Sequence, residues 1–181
     1  MSIVINPINP VAFSVFGMPV RWYALAYIAG FVAGYYLFKH FTKQKDTEVH
    51  FTNKQMDDFC TCIVFGVILG GRLGYVLFYN LSYFIANPLE IFMVWHGGMS
   101  FHGGLLGVII STLLFTMKQK FTDKSLLRNT FHILDLLCVV APIGLGLGRI
   151  ANFINMEVMG RPTTSPIGII FNGDPSGVAR H

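Results

Sequence analysis

The sequence predicts an all-α integral membrane protein, with about four transmembrane helices packed as a bundle and an irregular extracytoplasmic tail. Three observations predict it. Hydrophobic residues make up 53% of the chain and charged residues 12%, with a mean hydropathy of +0.57, which is more apolar than a soluble domain of 181 residues needs. The apolar residues gather into four runs, each close to the ~20 residues of a bilayer crossing. The lysines fall in two short loops between those runs, so the formal charge of +4 is a topology signal rather than an anion-binding face, and no nucleic-acid partner is expected.

Taken in order, residues 1–19 carry Asn6-Pro7, Asn9-Pro10 and an apolar stretch over 11–16. They are too interrupted to span and too apolar to float, and read as an interfacial amino-terminal arm. The bundle occupies residues 20–153. Its first run covers about 20–38, and because no basic residue precedes Arg21 there is no basic region of a cleavable signal peptide, so the run is kept as a span. Lys39, Lys43, Lys45 and Lys54 fill the loop that follows. The second run covers about 59–79 and is followed by a connection without lysine or arginine up to His96. The third covers about 98–117, after which Lys118, Lys120, Lys124 and Arg128 crowd the next loop. The fourth, about 131–153, leads into an extracytoplasmic loop segment, 154–181, punctuated by Gly160, Pro162, Pro166, Gly168, Gly173 and Pro175. With the lysine-rich loops in the cytoplasm, alternation puts the amino end, the second connection and the tail outside.

Cys60, Cys62 and Cys138 lie in apolar runs, towards the ends assigned to the cytoplasm, where disulfides are not expected. Cys60-x-Cys62 is also narrower than zinc spacing, so these are small packing residues. Glycines recur four residues apart in every run: Gly30 and Gly34, Gly66, Gly70 and Gly74, Gly103 and Gly107, Gly144 and Gly148. Such faces let helices approach closely in lipid, which predicts one bundle; the plainer alternative is that apolar helices are glycine-rich anyway.

With topology assigned, the polar residues converge in depth. Arg72 precedes the outer end of its run by about 10 Å at the α-helical rise, and His102 lies about 6 Å in. Arg149 and Asn152 sit near the outer end of the fourth run, and Arg21 and Tyr23 open the first from the same side. An arginine within a span costs about 2.5–3.5 kcal/mol on insertion scales, so two of them require a reason. Arg72 and Arg149 either snorkel, pair with Glu157 to lock the bundle, or hold an anion at the depth of a phospholipid head group. Arg72, Tyr75 and Tyr79 share one helical face. His102 is either hydrogen-bonded to a neighbour or placed for proton transfer, to which histidine is suited. His96 is interfacial, while His40, His50 and His132 belong to the cytoplasmic side. His96, His102 and Glu157 have no recognised ligand spacing, so neither a metal nor an organic cofactor is called for.

At these residues the chain resembles the prolipoprotein diacylglyceryl transferase family of bacterial inner membranes. The matching segments are Arg21-Trp22-Tyr23, the run from Gly70-Gly71-Arg72 to Tyr79, the run from Gly97 to Gly104 that contains His102, and the run from Gly148 to Arg161. Ala24 and Ala151 replace glycines of the pattern, and Ala26 is a further small departure. The resemblance implies a multi-pass inner-membrane enzyme with its active site on the extracytoplasmic side. Such an enzyme moves the diacylglyceryl group of phosphatidylglycerol to the lipobox cysteine of a prolipoprotein signal peptide, forming a thioether and releasing glycerol phosphate. Membrane lipid and the lipobox peptide are then the partners. His102 would assist thiol deprotonation, and Arg149 would hold the phosphate with Asn152 beside it. Glu157 would orient an arginine, Tyr23 would bind the head group, and Gly160 would belong to the substrate-binding set. Arg72 would be a second phosphate contact or a structural partner. Chains of this family continue through further spans, so the resemblance also implies a missing carboxyl-terminal part, with Arg180-His181 resembling the start of an interrupted motif and the activity of this chain alone in question.

The alternative is a small transporter or channel for an anionic or lipidic substrate. Such a protein places polar groups along a path through the midplane and inner half, whereas here they stop in the outer half. A purely structural scaffold would explain the glycines but not the grouping of His102, Arg149 and Asn152.

Overall fold

The four apolar runs form four long helices in the computed structural model of the chain, which describes all residues except 1, 2, 7, 45, 46, 120, 122–124, 158, 159, 173, 175 and 181. Lys45, Lys120 and Lys124 of the two basic loops lie outside the described residues, as do Pro7, Gly173, Pro175 and His181. The element order is β1 (Ile3–Ile5), β2 (Val11–Val15), β3 (Met18–Arg21), α1 (Trp22–Phe41), α2 (Asn53–Tyr79), α3 (Leu81–Ala86), α4 (Phe101–Lys118), α5 (Leu126–Ile154) and β4 (Ile169–Phe171). Two 3-10 turns, Pro88–Phe92 and Val94–His96, sit between α3 and α4.

Three of these helices, α2, α4 and α5, are long and apolar enough to cross a membrane. Helix α1 has the length, but Trp22, four tyrosines and Lys39 weigh against it on hydropathy. Leu69, Leu73, Ile110, Leu114 and Leu145 stand exposed on the helix surfaces, where only an apolar solvent can cover them. The chain is a membrane protein. Helix α2 begins six residues before the apolar run predicts, because Thr52 and Gln55 form a capping box: Gln55 N donates to Thr52 Oγ1 (3.2 Å) and Thr52 N to Gln55 Oε1 (2.9 Å). Its first turns therefore carry Lys54, Asp57 and Asp58 ahead of the apolar part. All three cysteines are free thiols.

The chain divides into two compact units, Met1–Tyr36 with Val140–His181, and Leu37–Val139. In the second, α2 and α4 pack through glycine. A Cβ on Gly74 would lie 2.7 Å from Gly103 Cα, one on Gly70 would lie 2.8 Å from Gly107 Cα, and one on Gly107 would collide with the Gly66 carbonyl. Near the amino end of α2, Phe38, Phe51, Phe59 and Phe115 form a buried aromatic cluster with Phe121 against it, ring centroids of Phe59 and Phe115 being 5.0 Å apart. Glu48 accepts a fork from Arg128, Nε to Oε2 at 2.9 Å and Nη2 to Oε1 at 2.6 Å.

In the first unit, β2 and β3 form a hairpin whose two turn residues, Phe16 (φ 50°) and Gly17 (φ 81°), both lie in the left-handed region that a tight hairpin of this twist requires. The expected interfacial arm is thus partly β-structure, with Phe13, Val15, Phe16 and Met18 exposed on it. The tail is less irregular than the sequence suggests, because β4 pairs in parallel with β1, Ile3 opposite Ile169 and Ile5 opposite Phe171. Gly30 would bring a Cβ to 3.1 Å from Gly144 Cα, and Gly34 to 3.1 Å from Val140 Cγ1. A Cβ on Gly148 would meet nothing within 4 Å, so the plainer explanation of helix glycines holds there.

Replacing Gly107 with alanine is expected to destabilise the detergent-solubilised protein by about 1–3 kcal/mol through overpacking of the α2–α4 seam. Gly148→Ala is expected to change stability by less than about 0.5 kcal/mol. Thermal or denaturant unfolding of the two variants side by side checks this, and equal effects would remove the seam as the packing determinant.

Candidate functional site

Arg72 is 4% exposed and is the most heavily bonded cation among the described residues. It lies on the last turns of α2, facing the connection made by α3 and the two 3-10 turns. Its Nε donates to the Ile91 carbonyl (2.9 Å), Nη1 to those of Gly97 and Gly98 (3.2 Å for Gly98), and Nη2 to those of Glu90 and Met93 (3.2 Å for Met93). The Phe84 ring covers the guanidinium, 5.0 Å from Cζ to centroid. A guanidinium has five N–H donors, and five carbonyls receive them. A planar cation with fixed donor directions suits several carbonyls at once, here including those of Glu90 and Met93, which also accept Met93 N (3.1 Å) and His96 N (3.2 Å). All five N–H groups of Arg72 are thus engaged by backbone carbonyls of the connection.

Beside Arg72 opens a cleft of about 300 Å³, lined on its other sides by Tyr75, Asn80, Tyr83, Glu90 and His96. Tyr83 donates its hydroxyl proton to Glu90 Oε2 at 2.7 Å, which holds the phenol above its usual range. Gly97 (φ 82°) and Gly98 (φ 80°) turn the chain into α4. A Cβ on Gly98 would overlap the Tyr75 ring, so the turn needs glycine both for its backbone angle and for space. Ser100 then opens α4: its N donates to the Gly71 carbonyl (2.9 Å), and its Oγ accepts from Gly103 N (3.2 Å). His102 is the second residue of α4 and is exposed, edge-on to Phe101 at 5.7 Å, with no hydrogen-bond partner among the described residues.

The remaining sequence-predicted residues belong to the other unit. Tyr23, half-buried on the first turn of α1, shares a 2.9 Å hydroxyl contact with Tyr27, the rings edge to face at 4.7 Å. Arg149 is exposed near the carboxyl end of α5 and has neither a hydrogen-bond nor an ion-pair partner among the described residues. Past the helix end, Met156 (φ 56°) turns the chain back and Glu157 N donates to the Asn152 carbonyl at 2.8 Å. The Glu157 carboxylate consequently receives Asn152 Nδ2 (3.2 Å) and Asn155 Nδ2 (3.4 Å), and no arginine pairs with it among the described residues. The structure therefore joins Asn152 to Glu157, where an arginine was expected. Gly160 (φ 85°) presents its carbonyl to Arg180 Nη1 at 3.2 Å. Among the described residues, no three His, Cys, Asp or Glu side chains converge so as to hold a metal ion.

That last contact belongs to a cluster which sequence reasoning missed. Arg180 Nε donates to Asp174 Oδ2 at 2.7 Å and Nη2 to Ser176 Oγ at 3.1 Å, while its backbone bridges to Ile169. The Arg180 guanidinium, together with bonds from Ser176, holds the Asp174 carboxyl down to about 2. Asp174-Pro175-Ser176-Gly177 is a legible turn signature, but nothing in the spacing names Arg180 as its partner. Tyr83 with Glu90 and Tyr27 with Tyr23 were missed for the same reason.

Residues 10–181 match the family model for prolipoprotein diacylglyceryl transferase. A relative from Azospirillum brasilense, named phosphatidylglycerol–prolipoprotein diacylglyceryl transferase, is 47% identical over 182 residues, covering 100% of this chain and 65% of its own length. Relatives of the same name from Geobacter sulfurreducens (46% identical; 96% of this chain, 63% of the relative) and Oleidesulfovibrio alaskensis (50%; 91% and 58%) align similarly. The chain spans about three fifths of the length of the curated relatives it matches.

The Asp174 contacts carry a pH dependence. A carboxyl depressed on folding contributes order that is complete above its unfolded value of about 3.9 and is lost as pH falls through its folded value. Hydrogen exchange over 160–180, corrected for intrinsic rates, is expected to stay constant from pH 7 to about 4 and to rise towards pH 2. In Asp174→Asn, exchange is expected to be fast already at pH 7; wild-type-like protection in that variant would dismiss the ion pair as the organiser of the tail.

Proposed function

This chain belongs to the prolipoprotein diacylglyceryl transferase family, and on that premise we propose that it serves diacylglyceryl transfer from phosphatidylglycerol to the thiol of a lipobox cysteine in a prolipoprotein signal peptide. One observation carries most weight. Within a family-matching segment, Arg149 is exposed and unpartnered among the described residues, one turn from an asparagine held by Glu157. A guanidinium with its fork open is what a phosphodiester needs as a partner.

In the reaction, the cysteine sulfur bonds to the glyceryl carbon and the carbon–oxygen bond to phosphate breaks. Glycerol phosphate leaves with one more negative charge, and the thiol proton passes to a base. Arg149 binds the phosphate and stabilises the charge that grows as it leaves, an effect that strengthens where water is excluded. Asn152, anchored through Glu157, offers neutral hydrogen bonding at the same end of α5, and the positive φ of Gly160 shapes the chain just beyond it. A thiol of pKa about 8.5 is only a few per cent thiolate at neutral pH, so His102, with an unengaged ring, serves as its proton acceptor. Tyr23 donates to the head group from the start of α1. We place the protein in the bacterial inner membrane, with residues 1–19 as an arm at the interface, 20–153 as the bundle and 154–181, like the site, on the extracytoplasmic side. The lysine distribution and the likeness to its relatives support that placement.

The test uses membranes containing this chain, phosphatidylglycerol and a lipobox peptide, read by mass spectrometry for a diacylglyceryl addition to cysteine. Arg149→Ala is expected to lower the rate by about 10²–10³-fold, and His102→Gln by about 10²-fold or more. Near-normal turnover in His102→Gln would remove the histidine as base while leaving Arg149 in place. Where this chain alone gives no transfer, the carboxyl-terminal part of the Azospirillum relative is supplied; no addition in either case, or anion flux from reconstituted vesicles instead, would overturn the reading.

A further inference from the structure

We propose that Arg72 is a positioning residue for His102, acting through the backbone of the connection that leads into α4 rather than through substrate. The inference rests on the transferase reading for its kinetic consequence, and on contacts within one unit for its geometry.

The Gly71-Arg72 pair grips the start of α4 at two consecutive points. The side chain of Arg72 takes the carbonyls of Gly97 and Gly98, and the carbonyl of Gly71 takes the amide of Ser100. Ser100 in turn caps α4 through Gly103 N and receives Gly104 N on its carbonyl. His102 lies on the single turn enclosed by those bonds. It has no hydrogen bond of its own among the described residues, so its position, and the rotamers open to its ring, depend on the backbone that carries it. The other three carbonyls on Arg72, from Glu90, Ile91 and Met93, tie the same guanidinium to the 3-10 turns before Gly97. Tyr75 closes the remaining side by filling the space over Gly98. With all five N–H groups taken, the contact through which Arg72 acts on the reaction is its hold on the 97–100 backbone, and Arg72→Lys keeps its charge while changing that hold.

Lysine keeps the charge but offers a point donor in place of the planar fork, so Arg72→Lys releases part of the grip without leaving a buried apolar gap. In the transferase assay described above, Arg72→Lys is expected to lower kcat by about tenfold or more while changing KM for phosphatidylglycerol by less than about twofold. In a His102→Gln background the same substitution is expected to change kcat by less than about twofold, because residues acting through one another are not additive. Hydrogen exchange gives an activity-independent readout: the Gly103 and Gly104 amides should exchange faster in Arg72→Lys, with α5 unchanged. A raised KM at constant kcat would instead make Arg72 a phosphate contact. An equal loss in both backgrounds would reduce it to general support of the fold, and unchanged exchange at Gly103 and Gly104 would remove the grip. All three overturn the proposal. Absence of transfer by the wild type would overturn the transferase reading and the kinetic role with it, while the exchange result still decides whether the grip exists.

Discussion

The close backbone approach of α2 and α4 is the constraint on which the unit Leu37–Val139 depends. Lipid offers helices no hydrophobic reason to associate, so the contact must come from dispersion over surfaces that fit. Gly66, Gly70 and Gly74 on one helix and Gly103 and Gly107 on the other make such surfaces by having no side chains. The consequence reaches beyond packing. Only at this separation does the Gly71 carbonyl come within 2.9 Å of Ser100 N, and only then does the side chain of the next residue lie beneath the turn that begins α4. A seam of glycines thus sets the register of the segment carrying His102.

The charge buried at the end of that seam is compensated internally. An arginine within a membrane span costs about 2.5–3.5 kcal/mol on insertion scales. Hydrogen bonds to charged groups return about 1.5–3 kcal/mol each, so five carbonyls and an aromatic face are sufficient compensation for Arg72. Two of those carbonyls, of Glu90 and Met93, also accept backbone amides within the 3-10 turns, so the guanidinium adds to the turns' own bonding and ties them to α2. Asp174 and Arg180 repeat the principle in the tail, where an ion pair and a serine satisfy one another's polar groups.

The long helices and the glycine seam of α2 and α4 were legible because both are periodic signals, strong against an apolar background. The early start of α2 was hidden because Thr52 and Gln55 act through capping, which hydropathy does not register. The pairing of β1 with β4 was hidden because it joins residues near the two ends of the sequence, and no local pattern encodes such a partner. In the candidate site, residue identities were legible and their bonding was not. Depth along a helix placed Arg72 and Arg149 alike, since both are arginines near helix ends. Glu157 was expected opposite an arginine because charge is the first partner one looks for; the left-handed turn at Met156 brings two asparagine amides to it instead.

What separates the two arginines is whether the protein itself uses up their donors. Arg72 has five carbonyls within its reach, and all five of its N–H groups go to them. Arg149 is exposed and has no such partners among the described residues, so its donors stay open. On the proposed reading a lipid phosphate meets that open fork, and a group that gains negative charge during reaction is held more tightly in the transition state than before it. Saturating one arginine and leaving the other open would, on that reading, turn two similar residues into a positioning device and a candidate catalytic cation.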